Sequence, residues 1–163
     1  MNGSEAAVSR SEGGIQVSAS SAMTENYSKA EAVTVVNEIT CNFQIDNPHQ
    51  SGTPGFQHRW NVHATMKCSG YNNGNVPWMY SSVDIARNNL WSLYWNPTHA
   101  YDKNNVTGTA AQECRFNQPT DQWQGRALGH VQMPPGFEPQ SLDFDVESDT
   151  FAQGFACGPP PAL

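Results

Sequence analysis

The chain has 163 residues, with 8 Lys plus Arg set against 15 Asp plus Glu and a formal net charge of −7. That length suits one domain with a real core. So few cations make phosphate-neutralising contacts hard to assemble, and a nucleic-acid partner is not expected. Only 14% of residues are charged, yet mean hydropathy is −0.59. Asn, Gln, Ser and Thr therefore carry the polar surface, a balance that suits an extracellular β-protein. No apolar run approaches the roughly 20 residues that cross a bilayer, so no membrane span is expected. Met1 to Arg10 lack the basic-then-apolar layout of a signal peptide, and the chain reads as a mature secreted form.

Residues 1–30 are rich in Ser, Ala, Gly and Glu and contain no aromatic before Tyr27. They read as an extended or disordered tail that the fold does not need. Ile15, Val17 and Ala19 alternate within it. They are the expected partner-binding positions, presented as an added strand to an open sheet edge of a protein partner.

From there the pattern changes to the period of two that marks a strand with one buried face. Val33, Val35, Ile39, Cys41 and Phe43 share one parity, and Trp60, Val62, Ala64, Met66 and Cys68 repeat it. Further strands are expected at 79–87, 90–95, 123–133, 142–146 and 151–157. Asn88-Asn89 separates two of these runs, and Asn tolerates the positive φ of a two-residue hairpin turn. Segments 79–87 and 90–95 are therefore expected to pair. Seven or eight short strands with regular turn signals point to an all-β fold, an antiparallel immunoglobulin-like β-sandwich over residues 31–158. Residues 159–163 form a Pro-rich end.

The four cysteines, Cys41, Cys68, Cys114 and Cys157, are even in number and widely spaced, without the close ligand pairs of a zinc site. Two disulfides are expected. Of the three possible connectivities the sequential one is preferred, with Cys41–Cys68 lying inside the core where a sandwich can pin its sheets together. Such bonds imply an oxidising compartment.

No cofactor is expected, and no catalytic motif stands out. Gly-x-Ser-x-Gly, His-Glu-x-x-His and phosphate-loop patterns are missing from the sequence, which leaves only an unrecognised hydrolase built from distant residues. The alternation Asp143, Asp145, Glu147, Asp149 places four carboxylates on one strand face. An EF-hand loop would need Gly and a carboxylate where Ser148 and Gly154 stand, so a solvated face is expected rather than calcium. His49, His58, His63, His99 and His130 read as surface histidines, with His63 and His130 free to meet if their strands are neighbours. Parity sends Trp60 and Trp123 to the core. Trp78, in a loop after Pro77, and Trp91 and Tyr94, at a hairpin, are the candidates for stacking on a glycan.

The stretch Cys41-Asn-Phe-Gln-Ile-Asp-Asn-Pro-His-Gln-Ser51 and the strand Trp60–Cys68 resemble small secreted two-disulfide proteins of actinobacteria. So do Cys114, Trp123-Gln-Gly125, Met133-Pro-Pro-Gly-Phe-Glu-Pro139 and Cys157, and the likeness covers residues 32–158. In size and secretion the chain is also similar to the small adaptor subunit of the umbrella toxin particles of Streptomyces. There an extended N-terminal segment joins a lectin subunit to a toxin subunit. The resemblance implies a secreted, non-enzymatic interaction protein, an adaptor in an extracellular assembly. A glycan- or cell-wall-binding module is the alternative.

Overall fold

A computed structural model describes residues 7–11, 14–27, 33–52, 58–114, 120–154 and 157. The alternating segments pair into two antiparallel sheets. The first is built from β1 (Ala7–Ser11), β2 (Gly14–Tyr27), β3 (Val33–Asp46), β4 (His49–Gln50), β5 (Arg59–Gly70) and β9 (Asn105–Glu113). It runs β1-β2-β3-β5, with β4 continuing β3 along the same side of β5 and β9 on the opposite side. The second contains β6 (Val76–Arg87), β7 (Leu90–Trp91), β8 (Asn96–Lys103), β10 (Gln122–Gln132), β11 (Ser141–Glu147) and β12 (Phe151–Ala152). Here β10 is flanked by β6 on one side and by β11 and β12 on the other. β7 and β8 lie along the far side of β6.

The inward rows meet in a sandwich-like core. Ile39, Phe43, Ile45, Val62 and Met66 of the first sheet face Met79, Val83, Ile85, Trp123, Ala127 and Val131 of the second, all fully buried. Trp60 and Trp123 stack across the gap with ring centroids 5.4 Å apart and planes within 5°. Gly125 and Gly129 let the sheets close up. A Cβ at Gly125 would lie 2.5 Å from Val62, and one at Gly129 2.7 Å from Met66.

The N-terminal segment departs most from the sequence expectation. Residues 7–11 and 14–27 are ladder strands of the first sheet, and β2 pairs with β3 from Gly14↔Asp46 to Tyr27↔Val33. Ile15 and Val17 are core residues and Ala19 packs against the core, so their alternation serves this chain's own sheet. Residues 1–6, 12–13 and 28–30 of the expected tail, and the Pro-rich end, lie outside the described residues, as do the side chains of Val33 and Val35.

Three other expectations change. Segment 90–95 pairs with β6 only through Ala86↔Trp91 and Arg87↔Leu90, although the turn at Asn88 and Asn89 has the expected positive φ, 53° and 66°. Trp78 belongs to a strand, β6, rather than a loop. β8 and β9 were not anticipated: β8 is exposed along its length except at Ala100, which packs against the core, and the inward row of β9 is Val106, Gly108 and Ala110.

Both disulfides have the sequential connectivity. Cys41 and Cys68, however, are directly opposed partners on β3 and β5, so this bond clamps two strands of one sheet rather than pinning the two sheets. Its partners are 27 residues apart. Replacing both with Ala is expected to cost about 3.5 kcal/mol by loop-closure entropy, measured as a lower denaturant midpoint with the folded-state circular dichroism retained. No helix among the described residues is long and apolar enough to cross a membrane.

Candidate functional site

The outer face of the second sheet carries an unusual set of side chains. Along β6 the outward row is Trp78, Tyr80, Ser82 and Asp84, and register sets opposite it Gln132, His130, Leu128 and Arg126 of β10. On the other flank, β8 sets Tyr101 opposite Trp78, His99 opposite Tyr80 and Pro97 opposite Ser82. An outer sheet row facing water is ordinarily polar. This one is aromatic at one end and ionic at the other.

At the aromatic end the Trp78 indole N–H donates to His99 Nδ1 over 3.1 Å. The two rings are parallel within 7°, with centroids 5.9 Å apart. An indole N–H and an imidazole lone pair both lie in their ring planes. The rings are therefore displaced sideways rather than stacked face to face, and together they form one wide flat plate. Tyr80 and His130 stack beside it, 5.6 Å apart and within 14°, and His130 Nδ1 is held by Asp143 at 2.7 Å. A groove lined by Trp78, Tyr80, Trp95, Pro97, His99 and Leu128 opens over this face.

At the ionic end Asp84 is fully buried, although its row faces outward. The chain following β7 folds back over it: Ser92 Oγ and the Leu93 N–H donate to its carboxylate, and Arg126 Nη2 donates from 2.9 Å. The Arg126 guanidinium in turn lies 4.2 Å from the Trp91 ring and 4.7 Å from that of Trp95, within cation–π range. Trp91 is thus half-buried and engaged by Arg126, while Tyr94 stands 84% exposed beyond it. The three candidate glycan-binding residues therefore separate. Trp78 anchors the aromatic plate, and Trp91 and Tyr94 belong to the loop that locks Asp84.

No family model matches the chain, and no curated protein or solved structure does either.

The acidic row lies as read from sequence, with Asp143, Asp145 and Glu147 exposed along β11 and Asp149 just beyond its end. His63 and His130 do not meet, because β5 and β10 belong to different sheets. His58 is buried, which corrects its reading as a surface histidine. The carboxylate partner of His63 was missed altogether. Asp46 Oδ2 lies 3.0 Å from His63 Nδ1, and that hydrogen bond raises the imidazole pKa above its ordinary value. Partial burial opposes the shift and the Asp46 charge adds to it. Among the described residues, neither His63 nor His130 hydrogen-bonds a hydroxyl that would complete a Ser-His-Asp arrangement.

Proposed function

We propose that the protein is a secreted binding module on an immunoglobulin-like frame, and that it takes carbohydrate on the aromatic outer face of its second sheet. The observation that carries this reading is the flat Trp78–His99 plate on a sheet face, with Trp78 half-buried and His99 exposed, bordered by hydrogen-bonding groups. One face of a pyranose presents C–H bonds, which pack on a flat π surface, while its hydroxyls seek partners around the rim. His130, Gln132 and Asp143 stand beside the plate and supply them. Exposed apolar surface rimmed by polar groups is a general mark of a binding site. Two disulfides are compatible with an extracellular setting.

A glycan array and a cell-wall pull-down test the reading. Trp78→Ala is expected to weaken binding about tenfold or more, as loss of a central aromatic anchor does. Tyr94→Ala, at the far end of the face, is expected to leave it nearly unchanged. No glycan retained by the native protein, or equal retention by Trp78→Ala, would rule the face out as a sugar site.

The adaptor reading is the second, and one observation favours it. Among the described residues β1 is the outermost strand of its sheet, paired on one side with β2, and its other side is then a free edge of the kind that accepts a strand from a partner. On this reading the N-terminal strands receive the partner within an extracellular assembly such as an actinobacterial toxin particle. Recovery of one stoichiometric protein from culture supernatant, lost when residues 1–11 are removed, would favour it over the glycan module.

A further inference from the structure

The break between β3 and β4 builds a second cluster on the other sheet. Ile45 is opposite Ala64 on β5, and His49 is opposite Asn61. Four steps on one strand are therefore matched by three on the other. The extra residue, at Asn47-Pro48, makes a β-bulge, a feature that re-aims side chains. In a regular strand residues three apart point to opposite faces. The bulge reverses that parity and brings Asp46 and His49 to the same face, beside His63 of β5.

The geometry among the three is specific. Asp46 Oδ1 accepts the backbone N–H of His63 at 2.6 Å, which orients the carboxylate. Its Oδ2 then lies 3.0 Å from His63 Nδ1 and 3.7 Å from His49 Nδ1. The two imidazoles lie nearly parallel, 20° apart, with centroids separated by 5.3 Å. Among the described residues this is the one group in which three ligating side chains bring donor atoms within 4.8 Å of one another.

We propose that Asp46, His49 and His63 bind a divalent transition-metal ion of the zinc and copper group. Metal–nitrogen and metal–oxygen bonds of about 2.0–2.1 Å in a tetrahedral site place donor atoms about 3.3 Å apart, a value that the observed 3.0 and 3.7 Å straddle. The remaining adjustment falls on His49, which is exposed at the start of a two-residue strand and whose Nδ1 would exchange its 3.0 Å contact with the Asn47 carbonyl for the ion. Two imidazole nitrogens and one carboxylate oxygen suit zinc, copper and nickel better than calcium or magnesium. On binding, a protonated imidazole releases its Nδ1 proton to solvent and a neutral one carries its single proton on Nε2, so that Nδ1 is free to ligate. The backbone N–H on Asp46 Oδ1 remains as the outer hydrogen bond that steadies a ligating carboxylate. Lys67 shares this face of β5 and lines the same pocket as Asp46 and His63, so its ammonium is the one cation there that opposes an incoming metal ion. Three ligands leave a fourth position for water or for a donor from a partner.

Isothermal titration with Zn²⁺ tests the site. One ion per chain with a dissociation constant below about 10 μM is expected, and Asp46→Asn and His63→Ala should each weaken it at least tenfold. His49→Gln, at an exposed position, supplies the same reading should His63→Ala fail to fold. The double variant His99→Ala/His130→Ala, which removes the other histidine pair, should bind as the native protein does. No saturable binding below millimolar Zn²⁺ would overturn the proposal, as would binding lost in the double variant and kept in Asp46→Asn. The site lies on the opposite sheet from the aromatic plate, so either can fail alone.

Discussion

Asp84→Ala is expected to lower the stability of the protein by about 3–5 kcal/mol, the usual cost of removing one member of a buried ion pair. The loss has two parts. Arg126 keeps a charge that is largely covered by Trp91 and Trp95 and has lost its carboxylate. The chain after β7 also loses its anchor, because Ser92 Oγ and the Leu93 N–H both bind Asp84. Leu93 holds a positive φ of 64°, a conformation that costs an ordinary L-residue about 1–2 kcal/mol and persists where its surroundings compensate. Urea denaturation should show the lower stability, and tryptophan emission should shift to the red before global unfolding as Trp91 and Trp95 are released. Arg126→Met, which removes the charge and keeps apolar bulk between the rings, should cost less than Asp84→Ala. Equal, small losses for both would mean that the carboxylate–guanidinium pair only offsets its own desolvation and that the loop is held by its aromatic contacts.

The same region marks the limit of what the sequence made legible. Strands whose inward residues are large, Ile39 to Ile45, Trp60 to Met66 and Leu142 to Val146, announce themselves by alternation, and their inward rows form the core as read. β9 does not, since close approach of the sheets demands small residues there. A Cβ at Gly108 would meet the Ser81 backbone carbonyl at 2.7 Å, and a row of Val, Gly and Ala carries little hydrophobic signal. β8 turns only the small Ala100 toward the core and carries none. Asp84 has the parity of an outward residue, and a folded-back loop buries it. Asp46 and His49 have opposite parity, and the bulge unites them. Trp78 was legible as a candidate, but its partners His99 and His130 come from two other strands, and only strand order brings them together.

Deletion of residues 1–27 separates the two descriptions of the N-terminus most sharply. As a tail it would be dispensable, with the melting temperature little changed. As strands β1 and β2 it is part of the fold. Ile15 and Val17 are 8% and 7% exposed, and burying side chains of this kind contributes about 1.5–3 kcal/mol each, so about 3–6 kcal/mol goes with them. Further contacts are lost with β2. Ala22 and Glu138 exchange backbone hydrogen bonds of 3.0 and 2.9 Å, and the Ser21 hydroxyl donates to the Pro139 carbonyl. These tie the first sheet to the turn that precedes β11. A protein of this size loses about 2–4 °C of melting temperature per kcal/mol, so the truncated chain is expected to melt at least about 6 °C lower. It should also associate, because β3 would become an unprotected edge whose backbone groups seek another strand. Deleting residues 1–11 removes β1, which among the described residues pairs with β2 alone, and is expected to have a much smaller effect. If the chain lacking 1–27 melts within about 2 °C of the native protein, which is less than 1 kcal/mol on the same scale, β2 is an appended arm. The open edge of β3 would then be the surface on which a partner strand docks.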